Sequence, residues 1–543
     1  MSDTGTLLMA AIVVPLCLLL LCLWPWALSR MLSCLPFAPV PALAAVFFVP
    51  AGSSLILGSP RQNLSFALDV PGGLLLGVAA LLWITSGTYA LSYLKGRPNQ
   101  ARFIVCWLMA LTGSIGVFLA SDMMGFYFLL ALLTIGACGL ITCHDTPRAW
   151  NAAAIYIMLA LLAESLLLVA FVMLAAEIPG NSLLIRDAAV ALSISPHRDL
   201  ILALLIAGFG TKAGLVPCHF WMPLAYSAAL TPASAILSGA VVKASVLGML
   251  RFLPLDTALP DWGTAVAAAG GFAAIYGVVI GLTQREPKVV LAYSSVSQMG
   301  FMIGVIGMGM IAGDGRAVLA TAFYAANHVL VKGALFLSVG VTVATGHRHL
   351  RWMLLPVAVI AVGIGGLPLT GGGLAKLVVG GPLGDGTANT VATISAIATT
   401  LLMLQFLHGL ADSVSQHPEA RPAAGLVWPW LTTAAASLAV PWALFLAVPS
   451  GMLPDPFAAA VVWKALWPVL AGAVLAIPLL RWTRRFGHVP AGDIAVAIDL
   501  LAGRARTVGK AVEGLDGALR QWPAAGVSLL ALAVALGAVI FAR

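Results

Sequence analysis

Basic side chains that could carry a proton fall inside long apolar segments of this chain. Lys212, Lys243, Lys332 and Lys376 lie well inside such segments, and Glu164 is the one acid at comparable depth. Insertion scales put the free-energy cost of placing one charged residue at the centre of a membrane helix at roughly 2.5–3.5 kcal/mol. The summed cost for five such residues is comparable to the net folding stability of a whole domain. We therefore expect these side chains to face a polar interior and to interact there.

Lysine is suited to carrying a proton in a dry environment. Desolvation favours its neutral form and a nearby carboxylate favours its charged form, whereas arginine stays protonated. In "NHVLVKGALFL", His328 stands four residues before Lys332, on the same face of a helix. Because imidazole titrates near neutral pH, the pair predicts a proton relay rather than a histidine that only fills a hydrogen bond in the core.

Two apolar segments are interrupted next to a lysine. One reads "GTKAGLVPCHFW" (210–221) and the other "GIGGLPLTGGGLAKL" (363–377). Broken backbone at membrane depth persists where protein or a water-filled cavity satisfies the freed groups, and matching breaks in two halves are typical of repeated transporter folds. The alternative is that Pro and Gly are simply common in membrane helices. Secondary candidates for the same relay are His219, Ser238 and His408.

Composition places the chain in a bilayer. Of its 543 residues, 61% are hydrophobic and 9% are charged, against roughly 25% charged in soluble domains. We predict an all-α polytopic membrane protein with about sixteen spans. They lie near 6–28, 36–58, 71–94, 103–120, 124–143, 151–176, 199–228, 232–253, 262–283, 288–310, 317–344, 352–380, 388–410, 426–448, 459–481 and 523–541.

Basic residues alternate between the loops. One set of loops carries Arg30; Lys95, Arg97 and Arg102; Arg148; Arg285 and Lys288; Arg348 and Arg351; and the run from Arg481 through Arg485. The positive-inside rule then puts both termini outside. Apolar residues at spacings of three and four across 493–520 predict a cytoplasmic amphipathic helix, which lies on the bilayer, braces other helices or a partner subunit, or is an ordinary surface helix between two spans.

Motifs for redox or nucleotide chemistry are absent from the sequence. The seven cysteines include no C-x-x-C pair, and there is no Walker loop and no c-haem motif. We expect no cofactor and no metal site in this chain. The net charge of +8 fits basic residues at the cytoplasmic ends of spans and does not indicate a nucleic-acid partner.

Four segments together resemble one superfamily. They are "GTKAGLVPCHFWMPLAYSAALTPASAILSGAVVKASVLGMLRF", "KVVLAYSSVSQMGFM", "NHVLVKGALFLSVG" and "GLPLTGGGLAKL". The superfamily comprises the antiporter-like subunits of respiratory complex I, of Mrp-type cation/proton antiporters, and of membrane-bound hydrogenases and formate hydrogenlyases. The similarity is firm over about 69–380 and weaker to about 480, and "NHVLVKGALFL" is most similar to the Mrp and hydrogenase branches.

The resemblance implies two inverted five-helix repeats, here 103–253 and 262–411, each with a broken helix. Residues 1–102 precede them as N-terminal membrane helices, and 412–543 follow as C-terminal helices. It also implies a mid-membrane file of lysines and histidines connected by water. In that file Lys212 and Lys376 are the broken-helix lysines, Lys243 lies on the following helix, and His328 with Lys332 forms the central link.

One departure from the family pattern concerns the acid. The family places a glutamate in the fifth helix, within a "WE" pair, as partner of the first broken-helix lysine. Leu130 and Ala131 occupy those positions in "FYFLLALLTIGACG". We therefore hypothesise that Glu164, on the next helix, partners Lys212. The alternative is that this half lacks the acidic switch and has reduced or altered transport.

The function that these residues predict is proton translocation within a larger complex of a bacterial inner (plasma) membrane. The partners would be membrane subunits of a complex I-like, hydrogenase or Mrp-type assembly, with protons and, as a further candidate, Na⁺ as the transported ions. An enzyme label would describe the complex, as an NADH-quinone oxidoreductase or hydrogenase, and not this chain. The alternatives are a structural subunit that has lost transport and a cation/proton or inorganic-carbon transport component without a redox module.

Overall fold

Helices make up most of the computed structural model, which describes residues 3–59, 62–178, 182–448, 453–482, 489–494 and 496. In chain order the α-helices are α1 Asp3–Leu21, α2 Pro25–Met31, α3 Val40–Phe48, α4 Val70–Tyr93, α5 Gln100–Leu119, α6 Met123–Thr142, α7 Pro147–Glu177, α8 Ile185–Ile194, α9 Arg198–Ala213, α10 Trp221–Ala228, α11 Thr231–Ile236, α12 Lys243–Phe252, α13 Pro260–Leu282, α14 Pro287–Ala312, α15 Arg316–Val343, α16 Leu350–Ile364, α17 Gly371–Leu383, α18 Thr387–Ala411, α19 Ala424–Leu446 and α20 Ala459–Trp482. Strands β1 Ser54–Ser59 and β2 Gln62–Ala67 pair as an antiparallel hairpin.

Long apolar helices confirm a multi-pass membrane protein. Within the described residues, 13 helical segments are long and apolar enough to cross a bilayer, and each coincides with one of the sixteen predicted spans. The span predicted near 352–380 is instead divided between two shorter helices, α16 and α17. The span near 523–541 lies outside the described residues, as does the amphipathic helix predicted at 493–520 except for residues 493, 494 and 496.

The segment near 36–58 departs from the single helix that was predicted for it. A short 3₁₀ turn, Leu32–Cys34, follows α2, and only the nine residues of α3 are α-helical before the chain enters β1. Pro36, Pro39 and Pro41 explain the difference, because proline lacks the amide hydrogen that continues a helix. Hydropathy alone could not show this, since the segment remains apolar.

Polar caps fix where several spans begin. Asp69, Asp122, Thr146 and Thr370 each accept a hydrogen bond from a backbone amide three residues on, at the starts of α4, α6, α7 and α17. The first amides of a helix have no partner within it, and leaving them unpaired near lipid is costly. These caps therefore fix the residue at which each of these helices starts.

The hairpin lies at one end of the helices, where a buried arginine connects several of them. Arg251, in the last turn of α12, donates to both carboxylate oxygens of Asp69 over 2.7 and 2.9 Å. It also donates to the carbonyls of Val117, Phe118 and Ala120 at the end of α5. This bidentate contact fixes the ends of α4, α5 and α12 relative to each other.

Glycines bring α13 and α14 into backbone contact. A Cβ added at Gly270 would lie 2.4 Å from the amide nitrogen of Gly304, and one added at Gly300 would lie 2.7 Å from the carbonyl oxygen of Gly270. Side chains cannot fit between the two helices at these points. Small residues permit such close approach in membrane proteins, and the two helices form a continuous glycine seam.

Both predicted interruptions are present. Helix α9 ends at Ala213, and the next residue, Gly214, has a φ of +73° that suits glycine. The chain resumes helical structure through a 3₁₀ turn, Cys218–Phe220, before α10. Between α16 and α17, Gly366 and Leu369 have φ of +106° and +61°. A third irregularity, which was not predicted, is a π-helical segment, Leu237–Val241, between α11 and α12.

Candidate functional site

Lys212 and Glu164 form a buried ion pair. Lys212 Nζ lies 2.8 Å from Glu164 Oε1, and the side chains are only 10% and 7% exposed. The hydroxyl of Thr134 contacts both: it accepts from Lys212 Nζ over 2.7 Å and lies 2.6 Å from Glu164 Oε1. Removing one partner of such a pair would leave the other charge buried and uncompensated.

Three helices position this triad. Glu164 lies midway along α7, Thr134 on α6, and Lys212 in the last turn of α9, just before the break at Gly214. A Cβ at Gly208 would lie 3.0 Å from the carbonyl of Ala163, so α9 approaches α7 closely beside the pair. The break then turns the chain away and leaves Lys212 at the end of its helix.

The contact expected between Glu164 and Lys212 is therefore present, and its role in transport stays a prediction. Sequence reasoning missed Thr134. The signal was available, because Thr134 stands three residues after Ala131 on α6 and so shares its helix face. A hydroxyl on α6 thus lies beside the lysine on the face where the family pattern expects a carboxylate.

Lys243 is fully buried at the first residue of α12, directly after the π-helical segment. Its Nζ lies 3.5 Å from Met299 Sδ on α14. Within the π-helical segment Ser238 Oγ lies 2.9 Å from Ser295 Oγ, also on α14. A thioether is a weak acceptor. None of the salt bridges in the described part of the chain joins Lys243 to a carboxylate.

A small cavity lies between Lys212 and the residues that precede Lys243. Its volume is about 30 Å³, and its lining includes Tyr156, Thr211, Lys212, Val241 and Val242. A water molecule needs a cavity of roughly 10–15 Å³ measured this way. The cavity therefore has room for one or two waters that could connect the broken helix α9 with the start of α12.

His328 and Lys332 lie fully buried on one face of α15. Lys332 Nζ donates to the carbonyl oxygen of Leu291 over 2.9 Å. Neither ring nitrogen of His328 has a hydrogen-bond partner among the described atoms. Lys243 and Lys332 lie close enough to His328, and Lys243 close enough to Lys332, for their charges to interact; a relay along these residues stays a prediction.

At the second break, the contacts of Lys376 differ from those that Lys212 makes at the first break. Lys376 Nζ donates to the carbonyl oxygen of Gly365 over 2.6 Å, a group freed by the break between α16 and α17. Nearby, Tyr324 OH donates to Gln298 Oε1 over 2.5 Å, and Gln298 Nε2 donates to Thr399 Oγ1 over 3.2 Å. This buried chain of polar groups links α15, α14 and α18, and sequence reasoning did not identify it.

The secondary candidates differ in their surroundings. His219 is fully buried beside the rings of Tyr276 and Tyr293, with centroid distances of 5.1 and 6.0 Å. His408 lies in the last turn of α18 with 43% of its side chain exposed, 4.0 Å from Asp412. His219 is thus buried in the core, whereas His408 is at a surface outside the buried file.

Chemically, the described site is a series of amines with one carboxylate at one end. Among Lys212, Lys243, Lys332 and Lys376, only Lys212 has a salt bridge in the described part of the chain. No group of three histidine, cysteine, aspartate or glutamate side chains within that part could hold a metal ion. Amine and carboxyl groups of this kind can each bind and release a proton.

Comparison with known proteins identifies the family. Residues 120–402, more than half of the chain, match the family described as NADH:quinone oxidoreductase/Mrp antiporter, TM. The matched range contains Glu164, Lys212, Lys243, Lys332 and Lys376. The same range holds both broken helices.

Two curated relatives and one solved structure illustrate the similarity. Hydrogenase-4 component B of Escherichia coli (strain K12) is 28% identical over 301 residues, which cover 53% of this chain and 44% of the relative. NADH-quinone oxidoreductase subunit N of Desulforudis audaxviator is 30% identical over 304 residues, covering 53% and 58%. The chain thus spans about half the length of these relatives. The structure of the Mrp complex from Dietzia sp. DQ12-45-1b shares the fold, with a TM-score of 0.78 at 22% identity over 99% of this chain and 63% of that chain.

Proposed function

The chain belongs to the NADH:quinone oxidoreductase/Mrp antiporter membrane family, and on that basis we propose that it is a proton-translocating subunit of a multisubunit complex in a bacterial inner membrane. The observation that carries the proposal is the file of buried amines between two broken helices. Ionisable residues inside membrane segments are costly and commonly mark ion or proton pathways. The carboxylate of Glu164 at one end supplies a group that can change the charge of the file.

The proposed relay runs along Glu164, Lys212, Lys243, His328, Lys332 and Lys376. A proton bound at Glu164 would weaken its hold on the charge of Lys212, because a neutral carboxyl no longer stabilises the ammonium. Lys212 could then pass its proton through the 30 Å³ cavity towards Lys243. The His328–Lys332 pair would carry it on to Lys376 and the second break.

The two broken helices support the proposal that 103–253 and 262–411 are inverted repeats. Each range contains one interrupted helix with a lysine beside the break, in α9 and α17 respectively. In repeated transporter folds, such breaks occur in corresponding positions of the two halves. In this proposal residues 1–102 and 412–543 flank the repeats.

Charge asymmetry supports an orientation with both termini outside. Arg148 pairs with Glu286, and Gln284 Nε2 donates to the carbonyl of Val489, so these loops share one end of the helices. The loops at that end carry Lys95, Arg97, Arg102, Arg148, Arg285, Lys288, Arg348, Arg351 and Arg421. The hairpin end carries mainly aspartates, among them Asp69, Asp122 and Asp314. Under the positive-inside rule the basic end is cytoplasmic.

The proposed partners are the other membrane subunits of a hydrogenase-like, complex I-like or Mrp-type assembly. Energy would come from a redox module on another chain or from an ion gradient, and the transported ion in this proposal is the proton. The two relatives support the first source by their names, and the Mrp fold supports the second. In this proposal the chain itself binds no cofactor.

The test is proton transport by the native complex in liposomes. The complex is purified through a tag on this chain, its partner chains are identified by mass spectrometry, and proton uptake is followed with a pH-sensitive dye. Lys332→Ala should reduce uptake to the level of empty liposomes while the complex still assembles. Lys464→Ala is the matched control, because Lys464 also lies in an apolar helix but is exposed, and it should leave uptake unchanged.

The possible results distinguish the proposed function from its two alternatives. Full uptake by Lys332→Ala would remove the central link and contradict the proposed relay. An assembled wild-type complex without any proton uptake would favour a structural subunit that has lost transport. Uptake that needs a Na⁺ or bicarbonate gradient and no electron donor would favour an ion-transport component without a redox module.

A further inference from the structure

Thr134 is the shared contact of the Glu164–Lys212 pair. Its Oγ1 accepts from Lys212 Nζ over 2.7 Å and lies 2.6 Å from Glu164 Oε1 and 2.9 Å from the carbonyl oxygen of Leu130. The residue is buried. One amine, one carboxylate oxygen and one carbonyl oxygen therefore surround this hydroxyl group, and the phenol of Tyr156 on α7 is a further hydrogen-bonding neighbour of Thr134.

Counting protons separates two arrangements of this hydroxyl. One O–H carries one proton, so Thr134 serves one of its two acceptors at a time. When Glu164 is ionised, the O–H points to Glu164 and makes a charge-assisted hydrogen bond, while the oxygen accepts from Lys212. When Glu164 is protonated, its own O–H donates to Thr134 across the same 2.6 Å, and Thr134 turns its proton to Leu130.

We propose that Thr134 is a positioning residue of the relay, whose hydroxyl rotates between Glu164 Oε1 and Leu130 O and so holds the carboxyl group and Lys212 in one geometry through both protonation states of Glu164. One proton is gained at Glu164, and Thr134 neither gains nor loses one. The proposal deepens the proposed function and rests on it for its effect on transport. The hydrogen-bond exchange itself depends on the side chains of Thr134, Glu164 and Lys212 and on the backbone carbonyl of Leu130.

The hydroxyl of Thr134 makes hydrogen bonds that a side chain which only filled space would not make. Lys212 and Glu164 also touch directly over 2.8 Å, so the ion pair would survive without Thr134. What would be lost is the second acceptor for the ammonium group and the second partner for the carboxyl group. In a buried setting, the loss of a hydrogen bond to a charged group changes the equilibrium constant for forming that charge about tenfold or more.

The test compares Thr134→Val, which keeps the shape and removes the hydroxyl, with Thr134→Ser, which keeps the hydroxyl. Both variants are made in the native complex in liposomes, beside wild type and Glu164→Gln. Infrared difference spectra across a pH titration report the C=O stretch of protonated carboxyl groups, and the Glu164 band is the one missing in Glu164→Gln. Proton uptake is measured on the same preparations.

We expect the Glu164 band to move to higher wavenumber in Thr134→Val, because its hydrogen bond to the hydroxyl is lost, and to keep the wild-type position in Thr134→Ser. Proton uptake should fall about tenfold in the valine variant and return in the serine variant. A purely structural role would give the same spectrum in both variants.

Several results would overturn the proposal. They are an unchanged band and unchanged uptake in Thr134→Val, a serine variant that behaves like the valine variant, and a Glu164 carboxyl that gives no band at any pH. A band that responds to Thr134 in a wild-type complex without proton uptake would instead contradict the proposed function and leave the positioning role standing.

Discussion

Lys376 donates its hydrogen bond to a carbonyl group of the interrupted backbone, Gly365 O, over 2.6 Å. Lys332 Nζ donates a hydrogen bond to the carbonyl oxygen of Leu291, which lies within α14. The described contact of Lys243 Nζ is with the sulfur of Met299. Neutral acceptors hold an amine in place in either charge state, whereas a carboxylate would trap it as the ammonium ion. Of these four lysines, Lys212 is the one that contacts a carboxylate in the described part of the chain.

Replacing Lys376 by arginine tests whether the file needs a removable proton or only a positive charge. Arginine keeps the charge but stays protonated, so Lys376→Arg should lower proton uptake to background, as should Lys376→Gln. Uptake by the native complex in liposomes is the measurement. Wild-type rates in Lys376→Arg would show that charge alone is sufficient there, and the relay would then end before Lys376.

The site residues that sequence reasoning found share one property. Lys243, Lys332 and Glu164 each stand out because charge is rare and costly in an apolar segment. Thr134, Gln298 and Tyr324 do not stand out, since threonine, glutamine and tyrosine occur in membrane helices for many reasons. Their roles depend on which helices are neighbours, and one sequence does not contain that information directly.

The acid that contacts Lys212 lies on a different helix from the one that the family pattern predicts. The family pattern places the glutamate on α6, at the position of Ala131, whereas here the carboxylate comes from Glu164 on α7. Both helices lie beside Lys212, because Thr134 of α6 and Glu164 of α7 both contact its amine. We therefore predict that an acid on either helix can serve as the partner of Lys212.

Returning the acid to α6 should rescue its loss from α7. Glu164→Gln should lower proton uptake at least tenfold, because Lys212 loses its only salt-bridge partner among the described residues. Adding Ala131→Glu to that variant should recover part of the lost rate, since position 131 shares a helix face with Thr134.

Ala131→Glu alone is the control for disturbance of the packing between α6 and its neighbours. Proton uptake and the yield of assembled complex are measured for all three variants. Normal uptake in Glu164→Gln would contradict the role of Glu164. Loss without any recovery in the double variant would show that the position of the acid, and not only its presence, matters.

Hydropathy predicted the long elements well and the irregular ones less well. Thirteen spans coincide with helices, and both lysine-bearing breaks are present because Gly and Pro marked them. The π-helical segment Leu237–Val241 has no such marker. Its form depends on contacts of Ser238 and Gly239 with other helices, which become visible only after the chain is folded.

On the scale of the whole molecule, two differently charged ends suggest a fixed orientation in the membrane. Gln416 is exposed at the basic end, in the segment between α18 and α19, and Asp385 is exposed at the opposite end, between α17 and α18. These two positions therefore report on opposite sides of the bilayer.

Cysteine labelling tests this orientation. Gln416→Cys and Asp385→Cys are made separately in a chain whose seven native cysteines are replaced by alanine. A membrane-impermeant maleimide added to spheroplasts should label Asp385→Cys, and should label Gln416→Cys only after the membrane is permeabilised. The reverse pattern would invert the proposed topology and place both termini in the cytoplasm.

The glycine seam between α13 and α14 has a consequence for how the protein is made. Helix α14 carries Ser297 and Gln298 into the bilayer, and Ser297 Oγ donates to the carbonyl of Ala274 on α13 over 2.6 Å. Because α13 leaves the ribosome first, this polar helix finds a complementary surface as soon as it emerges. We expect the two helices to leave the translocon as one hairpin with Ser297 already paired, whereas Gln298 gains its partners only when Tyr324 of α15 and Thr399 of α18 follow.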